Sequence, residues 1–380
     1  MRPKCLIVAL AVTTICAACV ADEASRTAPE FPRPLETTDS PTSPAAATQE
    51  EAGSPVPIEV TVVASNLEAP WGVAFTPDGR AFVAERDTGR VLELVEGEAV
   101  EVQRLDVNAS GEAGLLGLAA SPEWETDGLL YAYFTSPQGD NRIVRFRLGE
   151  APEPILTGIP AASIHDGGRL AFGPDGMLYA TTGDATRAQQ AQDPTTLNGK
   201  ILRMTPDGQP APGNPFRSSV VYSYGHRNVQ GLAWSADGTL YATEFGPGEH
   251  DEVNRIRAGG NYGWPVVTGD ADREGFIDPE AVASPAQASW SGAAILVEGA
   301  IPQWEGNLFA AALRGQRLYR FVLGPDGGVA EVEELLVGEI GRLRSVAQAP
   351  DGSLWLLTNN RDGRGRPGEN DDRVLRIGPS

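Results

Sequence analysis

One short unit recurs six times along this chain and constrains its fold more than any other feature. The unit is an apolar run, an Asp-Gly turn and a second apolar run, as in VAFTPDGRAFVAE at residues 73–85. Strand-rich repeats of about 50 residues joined by hairpin turns are typical of β-propellers. The sequence therefore predicts an all-β, six-bladed β-propeller with four-stranded antiparallel blades. The later copies contain Asp127-Gly128, Asp175-Gly176, Asp237-Gly238, the degenerate Glu305-Gly306 and Asp351-Gly352.

The spacing of these turns also predicts where long loops lie. Successive turns are 49, 48, 62, 68 and 46 residues apart. Because the third and fourth steps are the longest, we expect insertions near residues 185–220 and 255–300. In propellers the functional side chains come from loops and strand starts near the central channel, so the turns themselves are expected to be only turns.

The first residues of the chain have the pattern of an export signal. Residues 1–19 contain two cations, an apolar stretch and small residues that end at Cys19. This pattern is typical of a secretory signal peptide, and its end resembles a bacterial lipobox. Cys19 would then carry a lipid and become the mature N-terminus. Ordinary cleavage near Ala18 or Ala21 is the alternative.

Composition then separates a linker from the propeller. Residues 20–57 are rich in Pro, Thr, Ala and Glu and have no apolar periodicity, which predicts a disordered linker. The propeller domain is predicted at residues 58–380. All three cysteines lie within residues 1–19. The predicted domain therefore has no disulfide, cysteine metal site or thiol nucleophile.

The charge balance narrows the choice of partners. The chain has 30 Lys and Arg against 51 Asp and Glu. Residues 1–57 contain four of those bases and seven of those acids, so residues 58–380 keep 26 bases and 44 acids, a net charge of −18. This excess of negative charge disfavours a nucleic-acid partner.

Two residues suggest acid–base chemistry. His165 begins the run HDGGRLAFGPDG, and Asp184 ends the next predicted strand in TTGD. A carboxylate there could orient the imidazole of His165 for proton transfer. The alternative is that His165 is structural or incidental.

Residues 222–234, YSYGHRNVQGLAW, place three polar side chains inside a strand-like run. Because side chains alternate along a strand, we expect Arg227 on one face and Asn228 and Gln230 on the other. Such a set is consistent either with a ligand or with a hydrogen-bond network between strands.

The run EFGPGEHDEVNRIRAGGNYGWP, residues 244–265, combines a tight turn with acids. The carbonyls of its Gly-Pro-Gly turn, with Glu249, Asp251 and Glu252, supply the oxygen ligands that calcium prefers. An acidic surface loop is the alternative.

Arginines interrupt apolar runs near the C-terminus. Arg342 and Arg344 are two residues apart in GRLRSV and would lie on one strand face, and Arg314 precedes them in ALRGQ. Inward-facing guanidinium groups suit carboxylates or phosphate. Salt bridges to nearby glutamates are the alternative.

Taken in order, the motifs resemble the soluble quinoprotein glucose/sorbosone dehydrogenase family, and residues 58–380 are similar to its aldose sugar dehydrogenase branch. Members of that family are six-bladed propellers that use pyrroloquinoline quinone (PQQ) and Ca2+. The motifs that carry the resemblance are APWGVAF (69–75), GEAGLLGLA (111–119), HDGGRLAFGPDG (165–176), GHRNVQGL (225–232), GPGEHDEVN (246–254), GGNYGWP (259–265) and GRLRSV (341–346).

The resemblance implies roles for the polar residues. His165 matches the family's general base, which takes the proton of the sugar's anomeric hydroxyl while hydride passes to the quinone. Asp184 matches the carboxylate that orients this base. Arg227 and Asn228 match residues that contact the quinone oxygens, and Gln230 matches a neighbour lining that pocket.

The resemblance also implies two calcium sites. The backbone carbonyls of Gly246 and Pro247 match ligands of a calcium that polarises the quinone. Glu252, the carbonyl of Tyr262 and Asp251 match the ligands of a second, structural calcium.

The C-terminal arginines match the remaining cofactor contacts, and the chain departs from the family at three positions. Arg342 and Arg344 match partners of the cofactor's carboxylates. Arg314 stands where glucose-oxidising members have lysine, and Glu112 stands where some members have glutamine beside the substrate. The family's Trp-containing loop above the cofactor is replaced by SWSGAAILVEG, in which Trp290 is matched to that roof.

The leading interpretation is a PQQ- and calcium-dependent enzyme that oxidises aldose sugars at the anomeric carbon. Its electrons would pass to an external acceptor, because the sequence contains no C-x-x-C-H haem motif. A lipid anchor at the N-terminus would be its only membrane attachment. The alternatives are a calcium-dependent lactonase or esterase propeller, and a non-catalytic binding propeller at the cell surface.

Overall fold

The computed structural model describes residues 56–380, and the predicted signal peptide, lipobox and most of the linker lie outside this range. The described residues form 24 β-strands and three short helical segments. The helical segments are α1 (Trp124–Asp127) and two 3-10 turns at Ala188–Gln192 and Pro302–Trp304. None of the described helices is long and apolar enough to cross a membrane.

The strands form six antiparallel sheets of four, which are the blades of a six-bladed propeller. The prediction of fold class is therefore confirmed. The first strand of the domain is β1 (Ile58–Ala64). Blade 1 contains β2 (Pro70–Phe75), β3 (Ala81–Glu85), β4 (Arg90–Val95) and β5 (Glu98–Arg104), and blade 2 contains β6 (Leu115–Ala120), β7 (Leu130–Thr135), β8 (Asp140–Phe146) and β9 (Glu153–Pro160).

The next two blades carry the longest insertions. Blade 3 contains β10 (Leu170–Phe172), β11 (Leu178–Thr181), β12 (Lys200–Met204) and β13 (Val221–Tyr224), and blade 4 contains β14 (Val229–Trp234), β15 (Leu240–Glu244), β16 (Asp251–Ile256) and β17 (Ala281–Ala283). Blade 5 contains β18 (Trp290–Ile295), β19 (Leu308–Ala312), β20 (Arg317–Leu323) and β21 (Val329–Leu335), and blade 6 contains β22 (Leu343–Gln348), β23 (Leu354–Thr358) and β24 (Val374–Pro379).

The first strand of the domain closes the ring. β1 pairs antiparallel with β24, so that blade 6 is built from both ends of the propeller. The first strand of each blade lies innermost, and these strands contact one another between neighbouring blades at five of the six junctions: β2 with β6, β6 with β10, β14 with β18, β18 with β22, and β22 with β2. This closure joins the last blade to the first without leaving a gap between them.

The repeated turns and the insertions lie where the sequence predicted them. All six Asp-Gly or Glu-Gly pairs connect the first and second strands of a blade. At Asp237, for example, the carboxylate accepts the N–H of Thr239 at 3.0 Å, while Gly238 adopts φ of +85°. The longest connections lie in blades 3 and 4, at residues 182–199, 205–220 and 257–280.

Candidate active site

A cavity of about 320 Å³ opens at the end of the channel where the innermost strands begin. Its polar side chains come largely from the residues that immediately precede these strands, in blades 2, 3, 4 and 6. Short connections there point side chains at the propeller axis, which is why single residues separated by 50 or more positions converge. The lining residues are Glu112, His165, Arg227, Asn228, Phe245, Gly246, Asp251, Pro285, Ser289, Leu313, Arg314, Arg342 and Arg364.

The side chains of His165 and Asp184, which the sequence analysis paired, are in contact. Nδ1 of His165 lies 2.8 Å from Oδ1 of Asp184, and the imidazole lines the cavity. Asp184 is buried behind it and also accepts the indole N–H of Trp264 at 2.8 Å. Burial opposes ionisation of Asp184, but the hydrogen bonds from His165 and Trp264 outweigh it, so the pKa of this carboxyl lies below its ordinary value. A carboxylate in this position fixes the imidazole tautomer that leaves Nε2 free to accept a proton.

The backbone of His165 is held in a conformation that its side chain disfavours. Its φ is +64°, in the left-handed region. Its N–H donates to Oε2 of Glu112 at 3.0 Å, and its carbonyl accepts the N–H of Ala185 at 3.2 Å. Backbone strain of this kind is concentrated at functional sites, where the surroundings enforce it. Glu112 therefore helps to hold the backbone of His165 from the neighbouring blade.

The prediction that Arg227 faces away from Asn228 is wrong, because the run that contains them is not one strand. β13 ends at Tyr224 and β14 begins at Val229, so both residues lie in the crossover between blades 3 and 4. The strand ends because Gly225 adopts φ of +77° and packs so closely on Asn261 that a β carbon would lie 2.2 Å from its Oδ1. Arg227 and Asn228 consequently line the same cavity.

These two residues are anchored differently. Nη1 of Arg227 donates to the carbonyl of Phe245 at 3.0 Å, while its Nε is buried without an acceptor. Burial lowers the pKa of Arg227. Oδ1 of Asn228 accepts the N–H of Gly167 at 3.0 Å and the amide of Gln230 at 3.1 Å. The amide side chains thus tie blades 3 and 4 together, and the guanidinium keeps donor capacity for a ligand.

A buried network holds the crossover from behind. Nε2 of His226 lies 2.8 Å from Oγ of Ser223, and its Nδ1 lies 2.8 Å from Oε2 of Glu244. The other oxygen of Glu244 accepts the backbone N–H of Arg227. His226 is fully buried. Because no side chain of this network lines the cavity, it acts on the site through the backbone of Arg227.

Arg344 is a buried cation that forms no salt bridge with any of the described residues. It lines a narrow cleft next to the main cavity, together with Gln230 and Trp71. Its Nη1 donates to Oε1 of Gln230 at 3.1 Å and to Oγ of Ser291 at 3.3 Å, while its Nε has no acceptor. Burial lowers the pKa of Arg344 to about 9. No salt bridge to Arg344 forms within residues 56–380, so this position favours an anionic ligand over an internal ion pair.

The other two predicted arginines differ from Arg344. Arg342 lines the cavity and forms a buried salt bridge with Asp362, with Nη2 2.7 Å from Oδ2. Arg314 is exposed at the rim of the same cavity. A salt bridge was the alternative for these arginines, and Arg342 forms one, although its partner is an aspartate and not a glutamate. Arg314 stays available to a bound molecule.

The acidic run shapes the cavity wall mainly through its backbone. Asp251 is buried, and its oxygens accept the N–H groups of Gly246 at 2.9 Å and Ser289 at 2.6 Å. Burial raises the pKa of Asp251 to about 6. Gly246 lines the cavity, whereas Pro247 is exposed on the turn beside it. Asp251 thus holds the turn in shape, which leaves carbonyl oxygens as the ligands that this turn could offer a cation.

Glu252 and Tyr262 lie outside the main cavity. Glu252 accepts the N–H of Gly269 at 2.7 Å and the amide of Asn254 at 3.0 Å. Burial, and then the charge of Glu244, raise the pKa of Glu252 to about 7. The ring of Tyr262 stacks on His226 with centroids 4.6 Å apart. Within residues 56–380 no three His, Cys, Asp or Glu side chains form a metal-binding group, so a cation here would need carbonyl oxygens among its ligands.

Trp290 does not form the roof of the cavity, and that expectation is corrected. It is the first residue of β18 and is buried in the core of blade 5. Its ring packs edge-on against Tyr319 at 5.4 Å and Phe321 at 5.3 Å. The backbone turns immediately before it, where Ser289 adopts φ of +51°, so Ser289 and not Trp290 lines the cavity.

Two residues of the site were missed from the sequence. Arg364 lines the cavity from the loop between β23 and β24 and forms a salt bridge with Glu112 at 3.1 Å. Burial opposes ionisation of Glu112, but the N–H of His165 and the charge of Arg364 keep its pKa below the ordinary value. Trp264, which donates to Asp184, lies in the GGNYGWP motif, but only its tertiary contacts give it a task. For Trp264, the only sign in the sequence was its presence in that motif.

The chain is similar in sequence and fold to known sugar dehydrogenases. Residues 67–367 match the family model described as Glucose / Sorbosone dehydrogenase. The chain is 29% identical to an aldose sugar dehydrogenase of Escherichia coli, over 82% of this chain and 92% of that protein. It is 35% identical to quinoprotein glucose dehydrogenase B of Acinetobacter calcoaceticus, over 57% of this chain and 54% of that protein. The PQQ-bound aldose sugar dehydrogenase of Streptomyces coelicolor superimposes with a TM-score of 0.79 at 47% identity, covering 86% of this chain and 99% of that one.

Proposed function

Because this chain belongs to the glucose/sorbosone dehydrogenase family, we propose that it oxidises the anomeric carbon of aldose sugars to lactones with PQQ and Ca2+. The family is one of oxidoreductases that act on the CH–OH group of sugars. The observation that carries the proposal is the His165–Asp184 pair, 2.8 Å apart, which faces a cavity whose other walls include arginines. A base and a set of cations around one cavity suit a reaction that removes a proton and transfers negative charge.

The residues present fit a polycarboxylate quinone. Arg344 is buried without an acid partner, and the Nε atoms of Arg344 and Arg227 have no acceptor. A buried cation in this state is costly unless an anion neutralises it. Arg344 and Arg314 would hold the cofactor's carboxylates, with Arg342 contributing beside its salt bridge to Asp362. Arg227, Asn228 and Gln230 would contact its quinone end.

In this proposal the protein's own side chains accept the proton and stabilise charge, while the cofactor accepts the hydride. Bound PQQ supplies the hydride acceptor. Nε2 of His165 accepts the proton of the anomeric hydroxyl, and Asp184 stabilises the resulting imidazolium through Nδ1. The Arg227 guanidinium lies where it offsets negative charge that develops in the cavity. Glu112 keeps His165 in place and lies at the cavity wall, where it could also contact the sugar.

Calcium is proposed at the turn of residues 246–248. The carbonyls of Gly246 and Pro247 are the ligands, and Asp251 fixes the turn through the N–H of Gly246. A cation there would act as a Lewis acid on the cofactor. A second, structural calcium is proposed at Glu252 and the carbonyl of Tyr262. Buried Glu252, with its pKa raised to about 7, would gain a compensating charge.

The proposal is tested by dye reduction with the purified protein and a panel of aldoses. Activity should require both PQQ and Ca2+, and it should fall at least about 100-fold in His165→Ala because a positioned general base contributes on that scale. Release of lactone identifies the product. Hydrolysis of lactones or esters without PQQ, in place of dye reduction, would support the lactonase alternative. If the protein neither binds PQQ, nor reduces the dye, nor hydrolyses lactones or esters, the non-catalytic binding role is left.

We also propose export, with a lipid on Cys19 and an external electron acceptor. The support is the pattern of residues 1–19, which lie outside the described residues. Metabolic labelling with palmitate in a bacterial host, with Cys19→Ala as control, tests the anchor. Label that persists in Cys19→Ala, or no label on either chain, would contradict it.

A further inference from the structure

Trp264 touches both halves of the proposed active site. Its indole Nε1 donates to Oδ2 of Asp184 at 2.8 Å, which is the carboxylate oxygen that His165 does not use. The guanidinium carbon of Arg227 lies 5.5 Å from the centroid of its ring, within the range of a cation–π contact. One side chain thus contacts the group that orients the base and a cation that lines the cavity.

The backbone of Trp264 is fixed from two sides. Its N–H donates to the carbonyl of Gly225 at 2.9 Å, in the crossover that carries Arg227. Its carbonyl accepts the amide of Gln192 at 2.7 Å, in the insertion that follows Asp184. The amide of Gln192 also bonds to Asn261. Because these anchors come from the same two segments that carry Asp184 and Arg227, the indole is placed relative to both.

We propose that Trp264 is a positioning residue that couples the proton-accepting pair to the cation that contacts the cofactor. The proposal rests on the proposed function for its catalytic meaning, but its two contacts exist independently of it. Oδ1 of Asp184 accepts from His165 and from the N–H of Thr186, whereas the indole is the only partner of Oδ2 among the described residues. The guanidinium of Arg227 makes one hydrogen bond among the described residues, to the carbonyl of Phe245, besides its contact with this ring.

Loss of the indole N–H should change the base in a defined direction. Without that donor the negative charge of Asp184 is less dispersed, so it stabilises protonated His165 more strongly. The charged groups that surround His165 are Asp184, Asp166, Glu112 with its partner Arg364, and Arg227. Conservative replacement of Trp264 removes none of them, so a shift in the titration of His165 reports the lost hydrogen bond.

Two variants separate the contacts. Trp264→Phe keeps an aromatic face under Arg227 and removes the donor, whereas Trp264→Leu removes both. Trp234→Phe is the matched control, because Trp234 in β14 packs edge-on against Tyr179, 5.2 Å away, and does not line the cavity. Titration of the histidine ring signals in the cofactor-free full chain, with His165→Asn to assign them, is the first readout. Binding of PQQ by equilibrium dialysis is the second.

In Trp264→Phe we expect the ring signals of His165 to titrate at a higher pH than in the wild-type chain, and the acid limb of the kcat/KM profile to move in the same direction. PQQ affinity should stay within about twofold in Trp264→Phe and fall about three- to thirtyfold in Trp264→Leu. Trp234→Phe should change neither quantity. In an Asp184→Asn background, Trp264→Phe should no longer shift His165, because the carboxylate that transmits the effect is gone.

Three results would overturn the proposal: an unchanged His165 titration in Trp264→Phe, equal losses of PQQ affinity in the Phe and Leu variants, or an undiminished shift in the Asp184→Asn background. A melting temperature within a few degrees of wild type identifies variants that are folded. If the wild-type chain neither binds PQQ nor oxidises sugars, the proposed function fails, while the titration of His165 still decides the coupling to Trp264.

Discussion

The carbonyl oxygen of His165 occupies the space that a β carbon on Gly183 would need, because the two atoms would lie 1.8 Å apart. Gly183→Ala must therefore displace the backbone of His165, which Glu112 holds from the other side at 3.0 Å. We expect kcat/KM to fall at least about 100-fold, since displacement of a catalytic group by 1 Å can cost that much. Dye reduction with saturating PQQ and Ca2+ measures the loss.

Gly176→Ala is the matched control for this prediction. Gly176 has φ of +73° in the Asp-Gly turn of the same blade, and nothing lies within 4 Å of its added carbon. It should lower stability by about 1 to 2 kcal/mol without changing activity per folded molecule. Equal activity in Gly183→Ala and wild type would show that catalysis does not depend on the position of the His165 backbone.

Arg344→Met should stabilise the cofactor-free protein and weaken cofactor binding. The change removes a buried cation that has no acid partner, so the free energy of unfolding should rise by about 1 kcal/mol or more. PQQ affinity should fall about 30-fold or more, because a carboxylate of the cofactor would lose its proposed partner. Urea unfolding and equilibrium dialysis provide the two measurements.

The opposite signs of these two effects make the prediction about Arg344 specific. Arg320→Met serves for comparison, since Arg320 forms a salt bridge with Glu333 at 2.6 Å on an outer strand. That change should lower stability slightly and leave PQQ binding intact. If Arg344→Met destabilises the cofactor-free protein, or if the variant binds PQQ with wild-type affinity, Arg344 is not part of the cofactor site.

Asp166→Asn should stabilise the protein at high pH only. Burial raises the pKa of Asp166 to about 6, and its Oδ2 has no hydrogen-bond partner. The folded protein therefore holds this proton more tightly than the unfolded chain, whose pKa is near 3.8. The charged carboxylate therefore lowers the free energy of unfolding by its full amount above about pH 6, and this destabilisation disappears as the pH falls towards 4.

Unfolding in urea should show Asp166→Asn more stable than wild type by about 2 kcal/mol at pH 8, with the gain lost near pH 4. Asp237→Asn, in an exposed turn, should give no such gain. A stabilisation of Asp166→Asn that is independent of pH would show that charge burial is not its cause.

Ser223→Ala should leave dehydrogenase activity within about twofold of wild type. Ser223, His226 and Glu244 have the contacts of a hydrolytic triad, but they are buried and Glu244 also bonds to the backbone of Arg227. The network is therefore expected to be structural, and loss of one buried hydrogen bond should cost about 1 to 3 kcal/mol of stability. Lactone or ester hydrolysis that disappears in Ser223→Ala would instead support the hydrolase alternative.

The propeller could be predicted because its signal is local. A hairpin turn and the apolar runs beside it are specified within about a dozen residues, and six copies give the number of blades. The pair of His165 and Asp184 was also within reach, since both flank neighbouring strands of one blade. The proposed roles of the calcium and cofactor residues came from resemblance and remain predictions.

Features that depend on contacts between distant segments could not be predicted. The crossover at residues 225–228 was mistaken for a strand because its composition is strand-like, whereas Gly225 breaks it through a contact with Asn261. Trp290 was placed in the roof from its position in the chain, yet the turn at Ser289 directs it into the core. The tasks of Trp264 and Arg364 depend on partners 80 and 252 residues away in sequence.

The most direct test of sugar oxidation by bound PQQ is an anaerobic single turnover. The protein is loaded with PQQ and Ca2+, mixed with an aldose, and followed by the absorbance of the oxidised cofactor. We expect full bleaching with one lactone formed per cofactor, and a rate at least about 100-fold lower in His165→Asn. Bound PQQ that no aldose reduces, or reduction at the wild-type rate in His165→Asn, would contradict the assignment.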